Sequence, residues 1–339
     1  MKRLVVFSNN THYQNFKLYL KQLDVDSGQN HLIITNNKSD NWGSLVMQIK
    51  DECNFESISV INISHTSSKL SNWAAIVRII YEVKRFHKRH FEFDHVIFSS
   101  YYLWSQHFTI SKYLNDHTKV TLLNDGLNIF SILELRKKTL NINYRLKDNL
   151  LSNMLHIKDI PSIEFFVPFK LRTDGADYCK IFDYEQPQNY KIDSSTVYFI
   201  GSPLVETGIV EKEYYLQILS NLYKVNKTLK IKYFAHRAES DTNLKEYSHM
   251  FEIIRNHDPF ETFICNSNIL PKVIISFYSS VLLNLFSKYS MLQFKSIEIE
   301  SMKLIAAPDK KVRIIKLYNL FRQIKEANFM LLTSGDLKI

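Results

Sequence analysis

Short β-branched and aromatic runs alternate along this chain with longer stretches whose apolar residues recur every three or four positions. Lys2–Phe7, His31–Thr35, Ser57–Ile63, His95–Ser99 and Lys119–Leu123 carry the strand pattern. Tyr13–Leu23, Trp73–Phe86 and Tyr101–Leu114 carry the helical one, with Phe16, Tyr19 and Leu20 on one face of the first. A strand that feeds a polar loop (Ser8-Asn9-Asn10-Thr11) and then a helix is how a Rossmann-like lobe begins. That loop lacks the glycine fingerprint of dinucleotide sites, which argues against NAD or FAD. Capping the helix is the ordinary job for Ser8 and Thr11.

The rhythm weakens after residue 131. Leu133–Met154 reads as helix with basic flanks, Ile163–Phe169 as a short apolar piece, and Asp174–Tyr190 as polar loop containing Pro187. It resumes with a strand from Ser195 to Ile200 that closes on Gly201-Ser202-Pro203, followed by the helix Lys212–Val225. Further strands are expected at Ile231–Ala235, from Ile274, and over Ile297–Ala307, with a basic amphipathic helix at Lys310–Ile324. The pattern predicts an α/β protein of two Rossmann-like lobes facing a cleft: 1–170, a linker over 171–194, and 195–309. Residues 310–339 would form a terminal helix that packs back or touches a membrane.

Composition narrows the class. A chain of 339 residues is long enough for two cores, and 45% apolar with 23% charged residues is a globular balance. Seven Gly and seven Pro against 23 Phe and 19 Tyr disfavour a turn-rich β-sandwich. The net charge of +9 suits nucleic acid, anionic lipid or an anionic substrate. No helix-turn-helix, zinc-finger or RNP-type signature is present, so no nucleic-acid partner is expected. Cys53, Cys179 and Cys265 lie far apart without metal spacing and read as thiols of a reducing compartment. The twelve histidines are scattered, and no Asp-x-Asp falls in a plausible loop, so neither metal nor cofactor is expected. The N-terminal apolar core is too short for a signal peptide, and no apolar stretch approaches the ~20 residues of a membrane span. The expected location is cytoplasmic, with peripheral inner-membrane contact as an option.

Residues 231–285 hold the candidate chemistry. His236 ends one strand-like run, Glu261 follows Pro259-Phe260, and Ser279-Ser280 open an apolar helix-like run. Each is ordinary alone: a lone His after a strand is commonly structural, and a Ser pair before an apolar run is an ordinary N-cap. Together they suit a nucleotide monophosphate placed outside the carboxyl ends of parallel strands. In that order the segment resembles the nucleotide-binding half of bacterial GT-B sialyltransferases, closest to family 52 of the glycosyltransferases, which act on lipooligosaccharide, O-antigen or capsule. Arg237 stands where those enzymes usually carry Pro. The resemblance implies that His236 contacts a CMP phosphate, Glu261 the ribose, and Ser279 with Ser280 the phosphate again. Asn124-Asp125-Gly126 resembles the family's acidic-acidic-Gly motif, with Asn124 in the first acidic position and Asp125 as catalytic base. Gly201 and Ser202 would let backbone approach a phosphate or sugar. Glu213 either serves the helix dipole or replaces Asp125 as the base.

The implied reaction is inverting transfer of N-acetylneuraminic acid from CMP-sialic acid to a terminal galactose of a surface glycan or lipid-linked oligosaccharide, with α2,3 the expected linkage. The donor is the only small molecule implied. Relatives include dimers, so a homodimer is compatible. Two other readings stay open: a GT-B enzyme for CMP-Kdo or a UDP-sugar, and a basic non-catalytic module that binds polyanions.

Overall fold

Leu4, Val5, Val6 and Phe7 are all fully buried, so the strand Lys2–Phe7 (β1) has no solvent face and lies inside a sheet covered on both sides. The structure, a computed structural model, describes residues 1–23, 28–37, 42–52, 54–63, 69–138, 155, 157–182, 190–256, 259–286 and 288–339. By its internal contacts the chain divides into Met1–Phe182 and Asp183–Ile339.

The first unit alternates strand and helix: β1, α1 (Asn10–Leu23), β2 (Gln29–Asn37), α2 (Trp42–Glu52), β3 (Ser57–Ile63), α3 (Lys69–Arg89), β4 (His95–Phe98), α4 (Trp104–Ser111), β5 (Lys119–Leu123), α5 (Asn128–Lys138), β6 (Glu164–Val167) and β7 (Tyr178–Ile181). The seven strands pair in parallel in the order β3-β2-β1-β4-β5-β6-β7. Asn9 caps α1, its side chain accepting from the His12 backbone N–H at 2.9 Å, so neither Ser8 nor Thr11 takes that role. Leu4, Val6, Phe98, Leu122, Ile132 and Phe165 belong to one buried cluster.

The second unit runs β8 (Lys191–Ile200), α6 (Lys212–Val225), β9 (Lys230–Ala235), α7 (Asp241–Tyr247), β10 (Glu252–Arg255), α8 (Phe260–Cys265), β11 (Ile269–Ser276), α9 (Ser280–Phe286), β12 (Gln293–Ile297), α10 (Pro308–Arg322) and β13 (Phe329–Leu332). Its six strands are again parallel, in the order β10-β9-β8-β11-β12-β13. The aromatic excess is spent in this core. Phe199 stacks on Tyr233 at 5.2 Å, Tyr233 on Phe251 at 5.9 Å, and Tyr215 packs on Phe277 at 5.4 Å between ring centroids.

Several boundaries differ from the sequence expectation. Part of the expected 171–194 linker is sheet: Tyr178–Ile181 pairs with β6, and Lys191–Asp193 pairs with β11. These segments are short and carry no clear alternation of apolar and polar residues, so periodicity could not find them. The expected strand Ile297–Ala307 ends at Ile297, where β12 gives way to a 3-10 turn at Ser301–Lys303. The helix expected at Leu133–Met154 runs from Asn128 to Lys138, and 139–154 lie outside the described residues, as do Cys53 and Pro187. Residues 310–339 belong to the second unit: Tyr318 Oη donates to the Ile297 carbonyl at 2.9 Å, and β13 pairs with β12.

Candidate active site

In an open parallel sheet the strand order reverses at one point, and loops leaving the strands there diverge to open a crevice. In the first unit that point lies between β1 and β4. Ser99, at the end of β4, is fully buried, and Gln106 Oε1 accepts the backbone N–H groups of Ser99 and Ser100 at 3.2 and 2.9 Å. Asp125 and Gly126 follow the neighbouring β5. Gly126 has φ +59°, so the chain turns sharply there, and its N–H donates to Asn124 Oδ1 at 3.2 Å. Asn124, which stands at the motif's first acidic position, thus shapes the turn, and its carbonyl accepts from Asn15 Nδ2 at 3.0 Å.

This turn brings Asp125 against a residue that sequence reasoning missed. His12 Nε2 lies 3.8 Å from Asp125 Oδ1, and both side chains are largely buried, at 6% and 15% exposure. The His12 ring also meets Ser8 Oγ through Nδ1 at 3.3 Å and the Asn9 side chain through Nε2 at 3.4 Å. Asn128 Nδ2 donates to Asp125 Oδ2 at 3.4 Å. A carboxylate beside an imidazole can accept a proton from a hydroxyl and share the resulting charge. The signal available in sequence was a His in the first turn after β1, but nothing local ties residue 12 to residue 125.

In the second unit the reversal lies between β8 and β11. Gly201 and Ser202 follow β8, His236 follows the adjacent β9, and Ser279 with Ser280 follow β11. Ser279 and Ser280 are half-buried, and Ser279 Oγ accepts from the Val281 N–H at 3.3 Å, an N-capping contact. The helix they open is only seven residues long. Glu261 sits in the first turn of α8, not at a strand start, and its carboxylate accepts from Asn284 Nδ2 of α9 at 2.7 Å. That carboxyl is enclosed although the residue keeps some exposure, and burial raises its pKa. Glu213 lies exposed in the first turn of α6, where it favours the helix dipole.

His236 reaches solvent, and its Nδ1 accepts the backbone N–H of Ala238 at 3.1 Å. That bond leaves Nδ1 without a proton, so the neutral ring carries its N–H at Nε2. Burial of the ring, with the nearby Arg237 charge, lowers the His236 pKa. Nε2–H is therefore the donor that the neutral ring offers outward.

The turn under His236 holds a second group that sequence reasoning missed. Glu239, 4% exposed, accepts the His236 backbone N–H through Oε2 at 2.6 Å. Its Oε1 accepts from Tyr233 Oη. A Cβ on Gly201 would lie 2.3 Å from Glu239 Oε2 and 2.8 Å from the Tyr233 ring. Gly201 is thus a glycine because Glu239 and Tyr233 fill the space a side chain would need. A Glu three residues after His236 was the available signal.

No protein-family model matches the sequence, and no curated protein matches it. Solved structures do. TcCGT1 in complex with UDP aligns at TM-score 0.52 and 8% identity, over 98% of this chain and 85% of that one. An S. aureus MnaA-UDP co-structure aligns at 0.50 and 9%, over 96% and 89%. Acinetobacter baumannii MurG aligns at 0.48 and 11%, over 99% and 87%. With the two parallel sheets, the likeness at 0.50 and above establishes the two-lobed, Rossmann-like GT-B fold.

Proposed function

We propose that this chain is a glycosyltransferase that uses a nucleotide-activated sugar, and more narrowly a sialyltransferase that uses CMP-sialic acid. The observation that carries the broad reading is the placement of Ser202, His236 and Ser279 after three neighbouring parallel strands, at the reversal point of the second sheet. The narrow reading is supported by the order of His236, Glu261, Ser279-Ser280 and Asn124-Asp125-Gly126, which resembles the family 52 enzymes. A galactose-terminated glycan is the acceptor in this reading.

In the proposed reaction, the acceptor hydroxyl oxygen bonds to the anomeric carbon as the bond from that carbon to the donor phosphate breaks. Asp125, with His12 beside it, takes the hydroxyl proton. CMP departs with the electron pair, and its phosphate meets the Nε2–H of His236 and the hydroxyls of Ser279 and Ser280. Ser202 completes the phosphate side, and Glu261, steadied by Asn284, faces the ribose. Attack opposite the leaving group inverts configuration without a covalent intermediate.

A UDP-sugar is the second reading. Its support is that the TcCGT1 and MnaA structures both hold UDP. Incubation with CMP-sialic acid and a panel of galactosides, followed by CMP release, tests the first reading. Release of UDP from UDP-sugars, with none of CMP, selects the second. Binding of polyanions with no response to either nucleotide would sink both.

A further inference from the structure

Three buried polar side chains, Glu239, Tyr233 and Tyr215, run in line beneath the second unit's candidate site. Glu239 Oε2 takes the His236 backbone N–H at 2.6 Å, and Oε1 takes the Tyr233 hydroxyl. Tyr233 and Tyr215 share a hydrogen bond of 2.8 Å between their hydroxyl oxygens, and the Ser202 backbone N–H faces Tyr215 Oη. Tyr215 and Tyr233 are essentially without exposure, so each O–H must find its partner inside the protein.

With Glu239 ionised, the directions close one way. Tyr233 donates to the carboxylate, which leaves its oxygen to accept from Tyr215, whose own oxygen stays open toward the Ser202 N–H. Every donor is then satisfied while Glu239 is ionised. The chain joins the turn after β9 to the turn after β8, two segments with no covalent reason to move together.

We propose that Glu239 is the positioning residue of this site, holding the Ser202 and His236 backbones in one fixed arrangement through Tyr233 and Tyr215. The inference rests on the nucleotide-sugar reading for its purpose, though not for its geometry. Glu239 acts from below: its oxygens are spent on His236 N–H and Tyr233, so it orients phosphate donors rather than touching phosphate. Tyr247 on α7, Glu206 after β8 and Arg255 on β10 are the other ionisable groups around it. Arg255 donates to the Glu239 carbonyl at 3.1 Å and pairs with Asp241 at 2.5 Å, which holds the same turn from outside. Burial raises the Glu239 carboxyl to about 7, the cost of keeping an acceptor there.

The test combines backbone hydrogen exchange with calorimetric binding of CMP and cytidine, on the full chain and on Glu239→Ala, Glu239→Gln and Tyr233→Phe. Losing a buried charge-assisted hydrogen-bond pair corresponds to about a tenfold or greater rise in the CMP dissociation constant for Glu239→Ala. Cytidine affinity stays unchanged, because the affected donors face phosphate. Exchange rises together at the Ser202 and His236 segments. Glu239→Gln, which keeps an acceptor for His236 N–H and reaches Tyr233, restores most of the CMP affinity. Tyr233→Phe, with Glu239 intact, still loosens the Ser202 segment. Unchanged exchange at Ser202 in folded Glu239→Ala and Tyr233→Phe, or equal losses for CMP and cytidine in Glu239→Ala, would overturn the proposal. If the unaltered chain binds neither CMP nor UDP, the functional reading fails, and exchange alone decides the coupling.

Discussion

At the scale of single residues, the chemistry depends on contacts that span long sequence separations. His12 and Asp125 meet only because β1 and β5 lie in one sheet. Replacing either by Ala is expected to lower turnover by about two orders of magnitude, as loss of general acid–base help implies. Steady-state rates with CMP-sialic acid and a galactoside provide the check, and near-normal rates in one variant would remove that residue from the reaction. Gly201→Ala tests a different residue-level claim. The added methyl would meet Glu239 and Tyr233 at 2.3–2.8 Å. Overpacking of this kind costs about 1–3 kcal/mol. Thermal melts should show the loss, and Gly201→Ala combined with Glu239→Ala should show less than the sum of the two, since they share one space.

At the scale of elements, binary patterning found the buried strands and the long helices and missed the edges. Lys212–Val225 has the expected boundaries, because Tyr215, Leu219 and Leu222 recur with helical spacing. The edge strands β7, β10 and β13 escaped notice: each has four residues, too few for a two-residue period to stand out. Arg136 shows how a short strand is held in place. Its guanidinium takes both Asp177 oxygens at 2.6 and 2.7 Å and the Ile160 carbonyl at 3.1 Å, tying α5 to the segments before β6 and β7. Both partners are nearly free of solvent, so Arg136→Ala strands a buried carboxylate at a cost of about 3–5 kcal/mol. Chemical denaturation of the variant measures that. Helix α10 buries Ile314, Tyr318 and Phe321 and leaves Val312, Ile315, Lys310 and Lys316 exposed. No helix among the described residues is long and apolar enough to cross a membrane. If this exposed face rests on anionic lipid, Lys310→Glu with Lys316→Glu lowers co-sedimentation with phosphatidylglycerol vesicles. Equal co-sedimentation of the two proteins would end that proposal.

At the scale of the whole molecule, the two units are expected to respond oppositely to a fall in pH from 7 to 5. Burial lowers His95 to about 3 and His31 and His107 to about 4, all in the first unit. Those side chains stay neutral when folded, so their contribution is present above an unfolded pKa of about 6.5 and is lost as pH falls. In the second unit Glu239 is raised to about 7, so its contribution is present below an unfolded value of about 4.3 and is lost as pH rises through 7. His236, lowered, works against Glu239, while Glu261, raised, works with it. Taking the protein from pH 7 to pH 5 should destabilise the first unit and stabilise the second. Calorimetry across that range should resolve two transitions that move apart or cross. A single transition shifting one way would contradict the assignment.

Alternation of buried runs with amphipathic stretches was enough to determine two parallel α/β units, because a strand with no polar face must be covered on both sides. The same residues placed His236, Ser279 and Asp125 at strand ends, since each directly follows an apolar run. What joins those ends was decided only in three dimensions. The His12–Asp125 pair, the Glu261–Asn284 bond and the chain from Ser202 to Glu239 link residues brought together by strand order, and strand order leaves no periodic trace. Gly201 makes the difference plain: sequence shows that a side chain is absent, and tertiary packing shows that Glu239 occupies its place.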